Sequence, residues 1–248
     1  DRRGGHLYRF LSDGIVSNPS DPANSRLFET GTLYGAVFNP DGSGSWVALT
    51  AGTPVNPLAA PVTVPHSDRT RAGAESLDSP SAIAAYRQRY STLGDLYRGE
   101  GEAQLGALLI DAHLAANAAG ITATARPEDT VLDPASGDLL VSFTSGMPGS
   151  DGTPDPAIFR GPQDQSPWNE GWIMRLSEQG NNRFRWQMVA TGGEPADGGL
   201  GFANPDNLAV DPTGALWMVT DVGTGSQNNP EFNGGAFGNN SCWVIPSS

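Results

Sequence analysis

Lysine is missing altogether from these 248 residues, and all 14 basic residues are arginines. Against them stand 27 acidic residues, for a formal charge of −13. Without a basic stripe to displace counterions from phosphates, nucleic-acid binding is excluded as a main function. Docking on an anionic membrane surface is disfavoured for the same reason. The single cysteine, Cys242, is too little for an internal disulfide or a multi-cysteine zinc site. Cys242 itself lies in a strand pattern and reads as a small apolar core residue. Long apolar runs are lacking too. The best stretch, Leu105 to Ala119, falls short of the ~18 residues of a membrane span and is interrupted by Asp111 and His113. No nucleophile elbow, His-Glu-x-x-His pair or P-loop occurs. His6, His66 and His113 share no metal-ligand spacing, and His113 is expected on an exposed or lateral helix face.

What is present points to β structure. Glycine (32) and proline (20) are abundant, yet hydrophobic residues reach 38% and six tryptophans are available for a core. That combination favours a loop-rich all-β fold over disorder. His6–Leu11, Thr32–Phe38 and Ser45–Leu49 read as strands, the last two joined by a turn at Asn39–Gly44. Ala51–Asp68 is Pro-rich and reads as a loop. Residues 79–120 change character. Ser81–Tyr90, with a cap at Ser79, and Glu102–Ala118 have helical spacing, and Leu105, Leu108, Leu109, Ala112 and Ala116 fall on one face. These residues are expected to form a helical insert.

After Gly120 a pattern repeats. Pro127, Glu128, Asp129, Asp133 and Pro134 match Pro205, Asp206, Asn207, Asp211 and Pro212 at a constant offset of 78, and Gly137 matches Gly214 at 77. The unit reads as strand, Asp-Pro-x-Gly type turn, strand; Asp133 and Asp211 are turn residues. Trp172–Leu176 and Arg183–Val189 add two strands between the copies. Four strands per repeat is the arithmetic of a propeller blade, with 146–170 as a long loop insert. The expectation is one β-propeller domain over 1–248, seen as about two and a half blades. A strand at the C-terminal end (Ser241–Pro246) and the lack of an initiator Met or signal segment make both ends read as the middle of a larger fold.

In a propeller the start of each blade's inner strand faces the central channel. Glu128 and Asp206 occupy equivalent starts in adjacent blades and suit a shared cation, with Asp129 and Asn207 as further oxygen donors. Glu29, just before a strand, is a further candidate ligand. Arg126 could reach the same space, where its planar fork would match two phosphate oxygens. The plain alternative is that Pro-acid-polar caps a turn and the acidity is solubilising surface.

Several segments occur in the order seen in PhoX-type alkaline phosphatases, which are secreted bacterial β-propeller phosphomonoesterases. They are Asp1–Phe10, Glu29–Tyr34, Arg126-Pro127-Glu128-Asp129, Asn204–Asp211 and Gly238-Asn239-Asn240. The resemblance implies calcium together with iron in an axial cluster, and folded export by the twin-arginine route to the periplasm or beyond. It implies that Glu128 is similar to a metal-ligating glutamate, Arg126 to a phosphate-binding arginine and Asp206 to a further channel carboxylate. The implied substrate is a phosphomonoester; the chain is expected to be a monomer, with an assembly role left open. Gly5 stands where family members often carry Glu, which suits a rival reading as a non-catalytic binding or assembly subunit. A calcium-dependent lactonase-like propeller is a third reading.

Overall fold

The structure is a computed structural model that describes residues 2–68, 73–229 and 237–247. Its strands begin with β1 (Arg3–Gly5), β2 (Tyr8–Ser12), β3 (Gly31–Phe38), β4 (Ser43–Ala48), β5 (Val62–Pro65) and β6 (Ala74–Leu77). Helices α1 (Pro80–Arg89), α2 (Gly101–Ile110) and α3 (Ala112–Ala119) follow. Then come β7 (Thr124–Ala125), β8 (Pro127–Leu132), β9 (Leu139–Phe143), β10 (Trp172–Gly180) and β11 (Arg183–Thr191). The chain finishes with β12 (Pro205–Val210), β13 (Leu216–Thr220) and β14 (Cys242–Ile245). No helix among the described residues is long and apolar enough to cross a membrane.

The chain forms two compact units. The first comprises Asp1–Gly5, Phe38–Ser45 and Ala123–Ser248; the second comprises His6–Val37 and Trp46–Thr122. In the first unit β8, β9, β10 and β11 make an antiparallel up-and-down meander, one four-stranded blade. Its β10–β11 hairpin turns through Asn181 and Asn182, both at positive φ (51° and 57°), a backbone that suits the twist of the flanking strands. β12, β13 and β14 form the sheet of the next blade. Leu140, Ile173, Ala190, Phe202, Leu208, Leu216 and Met218 make the core between these two sheets.

The second unit is built on the α-helices. Leu49, Val64, Tyr86, Leu93, Leu108, Ala116 and Ile121 lie in its core. Helix α1 begins as expected, with the Ser79 hydroxyl accepting from Ala82 N at 3.2 Å and Pro80 in the first turn. The long second helix does not run unbroken. Asp111 leaves helical geometry (φ −101°, ψ 27°) and its carboxylate accepts from the Tyr97 hydroxyl at 2.9 Å. The expected face is not buried as a whole: Leu108 and Ala116 are buried, but Leu109 is 37% exposed.

Two more expectations are corrected. The Pro-rich stretch read as a loop contains β5, which pairs with β6 in the register Val62↔Leu77 to Pro65↔Ala74. Its alternation is short, but it places Val62 and Val64 in the core. Cys242 is exposed rather than buried. In β14 the period-two alternation turns Trp243 and Ile245 toward the core and Cys242 and Val244 away from it.

Candidate active site

The repeat found in the sequence is a repeat in three dimensions, and each copy carries the same distortion. Pro127 lies opposite Phe143 and Thr130 opposite Val141, so three steps on β8 face two on β9. Pro205 lies opposite Thr220 and Leu208 opposite Met218, the same mismatch. Each is a β-bulge, which leaves residues out of the ladder and re-aims their side chains. The bulged residues are Glu128 and Asp129 in one blade, Asp206 and Asn207 in the other.

The entry to each bulge is also shared. Arg126 and Asn204 both adopt positive φ, 49° and 53°. A residue before proline normally prefers extended backbone, and a left-handed conformation at a non-glycine residue costs of order 1–3 kcal/mol. Each is held by an equivalent bond: Thr144 N donates to Arg126 O at 3.1 Å, and Asp221 N to Asn204 O at 2.9 Å.

Arg126 then folds back on its own bulge. Its Nη2 donates to Glu128 Oε1 at 2.9 Å, the two side chains being 26% and 16% exposed. Burial pushes the Glu128 carboxyl above its usual range; Asp206 and Asp221 add to that push, and Arg126 opposes it. Burial likewise raises Asp206, assisted by Asp221 and Asp129 and again opposed by Arg126. Glu128, Asp206 and Asp221 therefore share one negative field with Arg126 inside it. Asp221 was missed by sequence reasoning. The signal was available in the repeat, which carries Thr144, the residue bonded to Arg126, onto Asp221 at the offset of 77.

A buried polar frame holds the two bulges side by side. The Ser142 hydroxyl, fully buried, donates to Asp206 O and accepts from Asp129 N at 3.0 Å. Thr144 Oγ1 donates to Pro205 O at 2.8 Å. Asn204 Nδ2 donates to Thr144 O at 3.0 Å and to Asn169 O at 3.1 Å, while its Oδ1 is buried with no bonding partner among the described residues. Gly171, at φ 84°, is required here. A Cβ on it would stand 2.5 Å from Phe143 O and from Pro205 Cδ.

The other candidates fall elsewhere. Asp129 acts as a staple: Oδ2 accepts from Leu208 N and Oδ1 from Thr130 N, each at 2.8 Å. Asn207 is exposed on β12. Glu29 belongs to the second unit, where it is exposed and pairs with Arg26 Nε at 3.3 Å. Asp133 and Asp211 are turn residues, with Oδ1 accepting from Ala135 N at 3.0 Å and Thr213 N at 2.8 Å respectively. The fold brings two histidines without metal spacing close together, the rings of His6 and His113 lying 5.1 Å apart. His6 is a core residue, with Nδ1 3.0 Å from Thr122 O and Nε2 3.0 Å from Asn117 Oδ1. Burial lowers its pKa to about 4, so the ring is neutral at physiological pH.

A calcium ion takes roughly 6–8 oxygen ligands. Among the described residues no group of three His, Cys, Asp or Glu side chains could hold a metal ion. Glu128 and Asp206 therefore supply only part of such a shell.

Two blades with the same bulge at their strand starts define the class, a propeller-type all-β protein. The chain belongs to the PhoX alkaline phosphatase family, whose profile matches residues 1–242. Its fold is similar to that of Pseudomonas fluorescens PhoX, solved in complex with vanadate, a transition state analogue, with a TM-score of 0.65 and 24% identity. That likeness shows the fold, a partial β-propeller; it covers 99% of this chain and 39% of the Pseudomonas one. The chain thus spans about two fifths of that relative's length. No curated protein sequence matches it.

Proposed function

We propose that this chain carries the phosphate-binding part of a phosphomonoesterase of the PhoX type. The observation that carries the reading is the Arg126–Glu128 pair, 2.9 Å apart in the bulge adjoining the bulge of Asp206. Family membership supports the reaction class. Bidentate recognition of phosphate is what an arginine fork does best. The Glu128 contact fixes the plane of that fork, and the positive φ of Arg126 aims it. In phosphoryl transfer, charge on the phosphoryl oxygens is stabilised by such a fixed cation.

Glu128 and Asp206 are proposed to offer carboxylate oxygens to a divalent cation, with calcium and iron implied by the family resemblance alone. Further oxygen ligands are then needed to complete the ion's shell. The chain is proposed to act as one propeller domain, with residues 79–120 and 146–170 as inserts, in a monomeric protein exported from the cytoplasm.

The test is hydrolysis of a chromogenic phosphomonoester by the natural-length protein, before and after metal chelation. Turnover that falls on chelation, is inhibited by vanadate and is lost in Arg126→Ala supports the proposal. A protein that hydrolyses a lactone but no phosphomonoester, or one with neither activity, overturns it.

A further inference from the structure

Thr144 directly follows β9, is buried, and sends its polar groups to both bulges. Its N donates to Arg126 O at 3.1 Å. Its Oγ1 donates to Pro205 O at 2.8 Å, and its O accepts from Asn204 Nδ2 at 3.0 Å. Ser142, two residues earlier, joins Asp129 to Asp206. Thr144 joins Arg126 itself to the entry of the second bulge.

Peptide planarity turns these bonds into aims. Arg126 O shares a plane with Arg126 Cα, so the bond from Thr144 N fixes the backbone from which the guanidinium arm leaves. Pro205 O shares a plane with Asp206 N and Cα, so the hydroxyl bond fixes the backbone that carries the Asp206 carboxylate. Thr144 has little room to yield. Phe143, just before it, is fully buried and lies opposite Trp172 in the ladder. The Phe159 ring stands 4.9 Å from Phe143 and 5.4 Å from Trp172, and Trp172 Nε1 donates to Arg160 O at 2.8 Å. Phe159 and Arg160 belong to the long insert, which in this way braces the backbone next to Thr144.

The repeat separates what the blade needs at this position from what the first blade adds. Asp221, the equivalent residue, keeps the amide bond, its N donating to Asn204 O at 2.9 Å. An ionised carboxylate accepts but cannot donate to a neighbouring carbonyl. The amide bond is therefore common to both blades. The hydroxyl bond belongs to the first alone, and it goes to the residue that precedes Asp206.

We propose that Thr144 is a positioning residue of the phosphate site, one that sets the separation and mutual aim of Arg126 and Asp206. The proposal rests on the phosphatase reading and deepens it: Thr144 touches no substrate and acts through the two groups that do. Misplacing such groups by about 1 Å costs a rate factor of order 100.

The test compares Thr144→Val, which keeps the shape and loses the donor, with Thr144→Ser, which keeps the donor. Both are made in the natural-length protein and assayed on a chromogenic phosphomonoester well below their thermal midpoints. Thr144→Val is expected to lower kcat/KM by about 10-fold or more, most of it in kcat. Thr144→Ser is expected to stay within about 3-fold of the unaltered protein. A valine variant as fast as the unaltered protein overturns the proposal and leaves the phosphatase reading standing. A serine variant as slow as the valine one also overturns it, because the loss then follows the methyl group and not the hydroxyl. An unaltered protein without turnover overturns the phosphatase reading and the proposal with it. If Thr144→Val does not fold, hydrogen exchange of the unaltered protein decides. The Thr144 amide is expected to exchange as slowly as the core amides of β9, as for a bond opened only by large-scale unfolding. Exchange about 100-fold faster overturns the proposal, since an amide that lets go so readily does not hold Arg126 in place.

Discussion

The two blades share a backbone and differ in side chains. Both enter through a positive-φ residue before proline, both bulge at the next two positions, and both turn through a bonded aspartate. The first blade carries Arg126, Glu128, Asp129, Ser142 and Thr144 where the second carries Asn204, Asp206, Asn207, Val219 and Asp221. The shared backbone therefore reflects the fold, and the differences separate side chains that pair with a charge from those that hold strands together. Arg126 folds back on its own bulge to a carboxylate, whereas Asn204 bonds two backbone carbonyls. One backbone position thus serves as a cationic arm in one copy and as a brace in the other.

The largest effect is expected from removing the arm. Arg126→Ala should lower kcat/KM for a phosphomonoester by about 100-fold or more, the scale for losing a fixed charge partner in a transition state, while the thermal midpoint moves little. Asn204→Ala should do the reverse, costing about 1–3 kcal/mol of stability because Thr144 O and Asn169 O lose a buried donor. Steady-state rates set beside thermal melts of both variants check the division. If Arg126→Ala acted only on stability, the two positions would have the same role.

Writing the second blade's residue into the first is the next test. Ser142→Val puts in what stands at 219 and strands two buried groups, Asp129 N and Asp206 O. A loss of about 1–3 kcal/mol in denaturant unfolding is expected. A neutral result would remove Ser142 from the frame.

The smallest effect separates the two turns. Asp133 and Asp211 both have pKa values lowered to about 2. Asp133 is lowered first by its bond to Arg175, at 2.9 Å, and Asp211 by neutral partners, Thr213 and then Trp217. A depressed carboxyl stabilises the fold above its unfolded pKa, near 3.9. That contribution fades as the pH falls through about 2, so the advantage over Asp133→Asn or Asp211→Asn should vanish across that window. Added salt should shrink the Asp133 effect and leave that of Asp211, since only the former is an ion pair. Melting curves over pH and salt check both.

Much of the first unit was legible because it repeats. The offsets of 78 and 77 named the turns, the strand starts and Glu128 and Asp206 as equivalent positions. Periodicity also placed α1 and its Ser79 cap. It failed at Asp111, where a carboxylate bonded to Tyr97 interrupts a helix that composition would continue. It failed again at β5, too short to outweigh its prolines. Asp129 was legible as an acid but not as a staple, because its partner Leu208 N lies 79 residues away.

Composition, repeat and turn chemistry alone determined an all-β chain of blade-like units with acids at their starts. Such features are local: they depend on φ preferences, alternation and spacing, which each short segment carries with it. The tertiary structure decided the rest. It drew Asp221 into the field of Glu128 and Asp206, and it turned Cys242 away from the core. It also left Trp217 and Val219 of β13 exposed while burying Leu140 and Ser142, their counterparts on β9. Each of these depends on which segments meet across long stretches of chain, and pairing at a distance is set by packing, not by the residues of either segment alone.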